Sequence, residues 1–353
     1  MDNAKSLCYE TTLFNKEEIM MKKTGFAVCQ NSFEALTRDE LADLRNVTPL
    51  TQSPGCVAYS GKLNKCVFPH FFANESETLE DTGVKTLANR IFDYFINNTK
   101  DIKFETAWHA VFLDSRAAPG LSRRMKSLKE TFFEILKKRM SRVSKLAIDD
   151  FPPKPGNYIG LLIYVTDFNK LHAACSFHYN GQCRMADDPL APSRSYLKVE
   201  EGYRVLEHSP LPDDSVVDLG AAPGGWSFSA AKRGATVFAI DNGPLKKGAL
   251  QWETIIHKKA DAFKFVPNNR VDWLFCDLVE EPHHVMQMIS QWFANRKCRS
   301  FVINFKFGHV NPIKLISELE NPAGMLMPHV TNAKVVHLYH DRDEVTLVGT
   351  LKN

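Results

Sequence analysis

The stretch with the clearest chemistry is Gly220-Ala221-Ala222-Pro223-Gly224-Gly225, set between Val216-Val217-Asp218-Leu219 and a run that turns helical at Trp226. Glycines let backbone N–H groups approach a ligand with no Cβ in the way, and the helix start that follows adds unpaired donors. Fifteen residues after Trp226, the β-rich run 236–240 ends in Asp241. A carboxylate at that strand end is placed to hold two ribose hydroxyls. Strand, tight loop, helix, strand and acid form the opening unit of a nucleotide-binding α/β sheet. A plain Gly-rich turn followed by a surface Asp uses the same residue types. Pro223 stands where a dinucleotide fingerprint needs conformational freedom, which argues against a nicotinamide dehydrogenase.

The elements that must position this loop continue downstream. A third short strand is expected near 254–257, leading to Asp261, and a fourth over 271–276, ending in Asp277. Pro282 opens a helix whose Val285, Met288, Ile289, Trp292 and Phe293 share one core-facing stripe. Residues 301–304 read as a fifth strand with Lys306 at its end. A final pair, 333–339 and 345–351, turns at 340–343 and leaves Glu344 at the mouth of the last strand. Ligands of open α/β sheets sit at the carboxyl ends of the parallel strands, where Asp241, Asp277 and Lys306 fall. His283 and His284 read as surface residues rather than metal ligands, because no acid or cysteine stands at zinc spacing.

The first half of the chain reads as α+β. Residues 24–70 alternate short apolar runs (25–28, 57–59, 66–68) with a helix over 33–45; 80–97 is helical, and 104–113 reads as a strand. A break near 70–80 would divide this half into two subdomains. Between Arg123 and Lys145 nine Lys or Arg face two Glu, while Met125, Leu128, Phe132, Ile135 or Leu136, Met140 and Val143 keep a core-facing stripe. A helix with such a basic face could track a phosphate backbone, although a solvated face is the commoner cause of a charge run. Pro152, Pro153 and Pro155 stop the helix. Residues 158–166 and 171–177 then form an antiparallel pair turned at 167–169, closing this half; the boundary falls near 181–190.

At 353 residues the chain can hold two or three domains. Its net charge of +3 is too small to diagnose a nucleic-acid partner, so that case rests on where charge is concentrated. Eight cysteines without a C-x-x-C pair read as reduced, mostly buried thiols of a cytoplasmic protein. Residues 1–10 lack the apolar core of a signal peptide, and no apolar run approaches a membrane span.

Taken together, DLGAAPGGW, GQCRMADDPLAPSRSYLKVEEGYRVL from Gly181, VDWLFCDLVEEP, FVINFKF and LYHDRDEVTLV resemble the RlmM-type 23S ribosomal RNA 2′-O-ribose methyltransferases, an FtsJ-related Rossmann-like family. The resemblance spans roughly residues 181–351 with its motifs in order. It implies a Rossmann-like methyltransferase sheet over 181–353, mostly parallel with a terminal antiparallel hairpin, and a THUMP-like α+β RNA-binding region over 1–180. It implies S-adenosyl-L-methionine as cofactor, a cytidine of large-subunit rRNA (naked or in an assembling particle) as substrate, and a monomer with neither DNA nor membrane as partner. Two positions depart from the pattern: Ala222 stands where the family has cysteine, and the chain ends at Asn353, a little early.

The same resemblance assigns a Lys-Asp-Lys-Glu tetrad to Lys198, Asp277, Lys306 and Glu344. A ribose hydroxyl is a poor nucleophile at neutral pH, so transfer needs alignment and a base. Lys306 is the expected proton acceptor, Lys198 the cation that biases it, and Asp277 and Glu344 the orienters. Lys306 can act so only when neutral; desolvation and a neighbouring cation favour that form, whereas a close carboxylate opposes it. The cofactor is expected against Asp218, Gly220, Ala222, Pro223, Gly224, Gly225, Trp226, Asp241, Asp261 and Asp277, with Asp261 facing the adenine amino group. Ser193 and Ser195 could meet either its methionine end or an RNA phosphate. Two other readings use the same chain: a non-catalytic RNA-binding ribosome-assembly factor on an inherited fold, and a small-molecule methyltransferase for which the basic helix is incidental.

Overall fold

The computed structural model describes residues 24–352; the leader expectation for 1–10 lies outside them. Two sheets are built in sequence. The first contains β1 (Thr24–Val28), β2 (Thr48–Ser53), β3 (Cys56–Ser60), β4 (Phe71–Ala73), β5 (Glu77–Glu80), β6 (Trp108–Asp114), β7 (Ala147–Ile148), β8 (Gly156–Asp167) and β9 (Lys170–Tyr179). Its order is β2-β3-β1-β4-β9-β8-β6-β7, with β5 also on β9. Helices α1 (Glu34–Leu44), α2 (Val84–Thr99), α3 (Leu121–Arg139) and α4 (Ser141–Leu146) belong to this half.

Two expectations change here. The β8–β9 hairpin turns where anticipated, but it is the spine of the sheet, since β9 pairs with β4, β5 and β8. The sheet therefore runs unbroken across residues 70–80, where a division was anticipated. Residues 66–68 form no strand. Their apolar side chains are buried, while the N–H groups of Val67 and Phe68 donate to the Glu40 carboxylate instead of to a ladder. A buried donor must find some acceptor, and a carboxylate serves as well as a strand.

α2 begins at Val84, later than the apolar spacing suggests, because 77–80 is spent as β5. α3 follows its stripe as far as Leu136, with Leu128, Phe132 and Leu136 buried against α2 and β6, but the expected single helix breaks at Met140 and Val143 lies on α4. Trp108, at the start of β6, donates from its indole to the Val143 carbonyl of α4. α3 thus runs back along β6, and its basic last turn, Lys137-Lys138-Arg139, lies at the end of β6 away from Asp114.

The second sheet contains β10 (Ser215–Leu219), β11 (Thr236–Ile240), β12 (Ile255–Lys258), β13 (Val271–Cys276), β14 (Cys298–Lys306), β15 (Val330–Val336) and β16 (Glu344–Leu351), in the order β12-β11-β10-β13-β14-β16-β15. The first five are parallel and β14-β16-β15 are antiparallel, as the sequence suggested. α5 (Tyr196–Leu206), α6 (Gly225–Ala231), α7 (Pro282–Ala294) and α8 (Pro312–Glu320) complete this half. Val217, Leu219, Leu274, Ile303 and Phe305 come from the buried, apolar strands typical of a parallel sheet covered on both faces. Val67 and Phe68 from the first half pack into this same core.

Between the halves, Arg45 bonds both Glu40 and Glu320, and the Gln30 amide donates to the carbonyls of Leu338 and Tyr339, each at 2.9 Å. No helix among the described residues is long and apolar enough to cross a membrane. The seven described cysteines are free and buried.

Candidate active site

β10 delivers the chain to Gly220, whose φ of 79° lies in the left-handed region that glycine enters freely, and Gly224 does the same at 105° before α6 begins. Asp241 follows β11 directly. Its Oδ2 accepts from the Ala222 N–H at 2.9 Å and its Oδ1 from the Gly243 N–H at 2.7 Å, so the acid also braces the loop. Asp218 and Trp226, both anticipated at the cofactor, are buried beneath the loop. Asp218 accepts from Ser227 Oγ at 2.6 Å, and burial pushes its carboxyl up to about 7. Trp226 packs edge-on against Phe275 and donates to the Ser195 carbonyl at 2.9 Å. Asp261 is exposed and accepts from the Phe263 N–H.

The tetrad converges. Lys306, last in β14, donates to Asp277 Oδ1 at 2.5 Å and to Glu344 Oε2; β14 and β16 put Lys306 and Glu344 directly opposite each other. Lys198 reaches the same pair from α5, 2.6 Å from Glu344 Oε1 and 3.6 Å from Asp277 Oδ1. Two cations thus face two anions. Burial opposes the charge on Lys306, but Asp277 and Glu344 outweigh it and hold its pKa above the ordinary lysine range. Burial likewise opposes the charges on Asp277 and Glu344, and the two lysines outweigh it, holding both below the usual carboxylate range. The resting ammonium is therefore firmly protonated.

The two serines part company. Ser195 Oγ donates to Asp277 Oδ2 at 2.7 Å, fixing the carboxylate from the start of α5 instead of capping that helix. Ser193 Oγ is buried without a hydrogen-bond partner, and a Cβ on Gly225 would stand 2.8 Å from it.

Several supporting residues escaped the sequence reading. Asn304 Oδ1 accepts from Lys306 Nζ at 2.7 Å, while its amide donates to Asp341 Oδ1. Thr346 Oγ1 closes that set by bonding both Asn304 and Asp341. Glu201 is fully buried and takes the N–H groups of Cys183, Tyr339 and His340; burial nevertheless pushes its carboxyl up to about 8. The available signal was a polar Asn in an otherwise apolar strand, two residues from Lys306 and so on the same face.

The tetrad lines a cavity of about 830 Å³ that also takes in Gln30 and Arg116 from the first half and Arg184, Arg194 and Arg342 from the second. Arg194 lies 3.5 Å from Asp187; the guanidinium groups of Arg116, Arg184 and Arg342 have no carboxylate partner among the described residues. His340 lies among these cations, and burial together with Arg194 and Arg184 lowers its pKa to about 4. A strongly cationic mouth over a charge-balanced floor suits a polyanion whose reacting group is neutral. His283 bridges Glu281 and Glu318 at the surface, away from the tetrad.

Comparison with known proteins agrees with the motifs. Residues 191–317 match the family described as FtsJ-like methyltransferase. Proteins named ribosomal RNA large subunit methyltransferase M are similar: that of Thauera aminoaromatica is 36% identical over 186 residues (50% of this chain, 51% of the relative). That of Azoarcus sp. (strain BH72) is 33% identical over 234 residues (63% of each), and that of Haemophilus influenzae (strain PittGG) is 40% identical over 192 residues (50% and 52%). The matched segments span between about half and two thirds of these relatives. The glycine loop, Asp277 and Lys306 all lie inside the matched stretch, and over it the chain is similar to the FtsJ-like methyltransferases, as its motifs led us to expect.

Proposed function

We propose that this chain transfers a methyl group from S-adenosylmethionine to the ribose 2′-hydroxyl of a cytidine in large-subunit (23S) ribosomal RNA. The observation that carries the reading is Lys306, held between Asp277 and Glu344 at the carboxyl end of a parallel sheet, under a cavity rimmed with arginines.

The residues fit the cofactor. Ser193 Oγ is a buried hydroxyl in want of a partner beside Gly225, and Gly220 and Gly224 keep the loop free of Cβ atoms at left-handed positions. Asp241 suits ribose hydroxyls, Asp261 an adenine amino group, and the loop from Gly220 through Ala222 and Pro223 the remainder. The cofactor supplies an electrophilic methyl carbon on a cationic sulfur. The chain supplies alignment and a base. Lys306, open in part to solvent, releases its own proton there and then accepts the hydroxyl proton, and Lys198 offsets the carboxylates that oppose that release. Asp277, fixed by Ser195, and Glu344, fixed on β16, orient both amines.

The region before residue 181 acts as a THUMP-like RNA-binding unit. Support comes from Arg116 on the cavity and from the basic face carrying Lys137, Lys138, Arg139 and Arg142. The 2′-hydroxyl selects RNA over DNA, and the protein works as a cytoplasmic monomer.

The test is incorporation of tritiated methyl groups into unmodified large-subunit rRNA, followed by mapping of the ribose. Methylation of one cytidine, lost in Lys306→Ala, is the expected result. Full activity in that variant removes the proposed base, and RNA binding without incorporation removes the enzyme reading.

A further inference from the structure

Beside the catalytic cavity lies a second hollow of about 340 Å³, which shares Gln30, Arg116, Arg184 and Tyr339 with it. Nothing in the transfer step needs it. Its size is at the small end for ligand pockets, suited to one ring system rather than to a peptide. The half-buried Phe151 contributes an aromatic ring, with the fully buried Phe71 5.1 Å from it and edge-to-face, and Leu113 contributes an aliphatic wall. His70 lines it as well; the ring is buried, its Nε2 has no hydrogen-bond partner, and burial lowers its pKa to about 3, so it is neutral at physiological pH. At the neck shared by the two spaces stand the exposed Arg116 and Arg184, neither paired with a carboxylate among the described residues.

An aromatic wall, an unsatisfied neutral polar group and two free guanidinium groups at the entrance match a base joined to a phosphate. Single-stranded RNA is read in this way, with bases splayed onto aromatic side chains while cations track the backbone. We infer that the hollow receives the base of the nucleotide whose ribose lies against Lys306, with Arg116 and Arg184 on the adjoining phosphate. This site rests on the methyltransferase reading for its role, but not for its detection. Most of its walls come from the first sheet and the loops beside it, which gives that half a share in choosing the nucleotide.

Cytidine 5′-monophosphate and ribose 5-phosphate, titrated into the full chain and followed by NMR, separate base from phosphate. The nucleotide should bind about tenfold or more tightly, the usual effect of one base–aromatic contact. Leu113→Trp, which fills the hollow, should erase that difference and leave ribose 5-phosphate unchanged. If that variant fails to fold, Phe151→Ala should reduce the preference in its place. Equal affinities in the native chain, no nucleotide binding at millimolar concentration, or a preference that survives the substitutions overturns the inference. A base preference without any methyl transfer to rRNA would defeat the enzyme reading and leave the hollow standing. Methyl transfer without a base preference would do the reverse.

Discussion

Among the described residues, two clusters of buried charge are made from similar ingredients. At the seam between the sheets Arg45 is 2.7 Å from Glu40 and 2.6 Å from Glu320, and Glu40 also receives two backbone N–H groups. In the cavity, Lys198 and Lys306 face Asp277 and Glu344. The seam uses a guanidinium, which cannot lose its proton and whose planar fork meets two carboxylates in a fixed geometry. The cavity uses ammonium groups, compact charges that can be discharged. Glu40 is wholly buried, whereas Lys306 keeps about a fifth of its side chain exposed to the cavity. In the proposed reaction, one cluster keeps its protonation and the other changes it.

The sharpest way to break this contrast is to exchange the cations. Lys306→Ala should lower methyl transfer by about 10² to 10⁴-fold, the range for loss of a general base. Lys306→Arg should be no better, because a permanent cation cannot accept the proton. Initial rates on unmodified rRNA decide the matter, and an active arginine variant would erase the distinction between the clusters. At the seam Glu40→Ala leaves Arg45 with one partner and two N–H groups with none. It should cost about 3–5 kcal/mol in urea unfolding, as for a broken buried pair.

A smaller effect sharpens the comparison through pH. The Lys306 pKa is raised, so the rate should climb with pH through the neutral range as the amine begins to discharge. Glu344→Gln removes one of the carboxylates that raise it, and the pH–rate profile should move toward lower pH. An unmoved profile would show that another group carries the proton.

His70 gives a stability counterpart. Its folded pKa of about 3 lies below the ordinary 6.5, so the unfolded chain binds the extra proton. Its contribution is complete above pH 6.5 and is lost as pH falls toward the folded value. In His70→Leu, urea midpoints measured at pH 7 and 5 should therefore lie closer together than in the native chain.

The smallest effect is expected on α3. Neutralising Lys137, Lys138, Arg139 and Arg142 should leave the catalytic rate at saturating RNA unchanged and lower the salt dependence of binding. The slope should fall by about 0.7 for each phosphate that the variant no longer neutralises. These residues lie roughly 20 Å from the cavity, the length of β6, so any RNA they meet is a stretch distant from the reacting ribose.

How much of this was legible follows from the same physics. The parallel strands of the second sheet stood out because each is a short apolar run ending in a charged residue, so Asp241, Asp277 and Lys306 could be set at strand ends from spacing alone. Lys198 could not. It projects from a helix, and only the resemblance joined it to the others. Asp341 and Glu201 were missed because they act on backbone groups and buried amides, leaving no periodic trace. The first sheet was read as pieces. Its order places β4 between β1 and β9, more than a hundred residues downstream, and nothing local announces such a partner. The stretch 66–68 has the composition of a strand, yet its backbone is claimed by Glu40 on α1.

Val67 and Phe68, in the loop between β3 and β4, complete the apolar interior of the second sheet. Heat should accordingly find no line of weakness along which the halves part, and a calorimeter should record one cooperative transition. A ribosome synthesising the chain meets the same condition in time. The early half emerges with Val67 and Phe68, and with Phe33, Leu36 and Leu44 beside them, waiting for neighbours that have yet to be made, so neither half is finished until the last strand is in place.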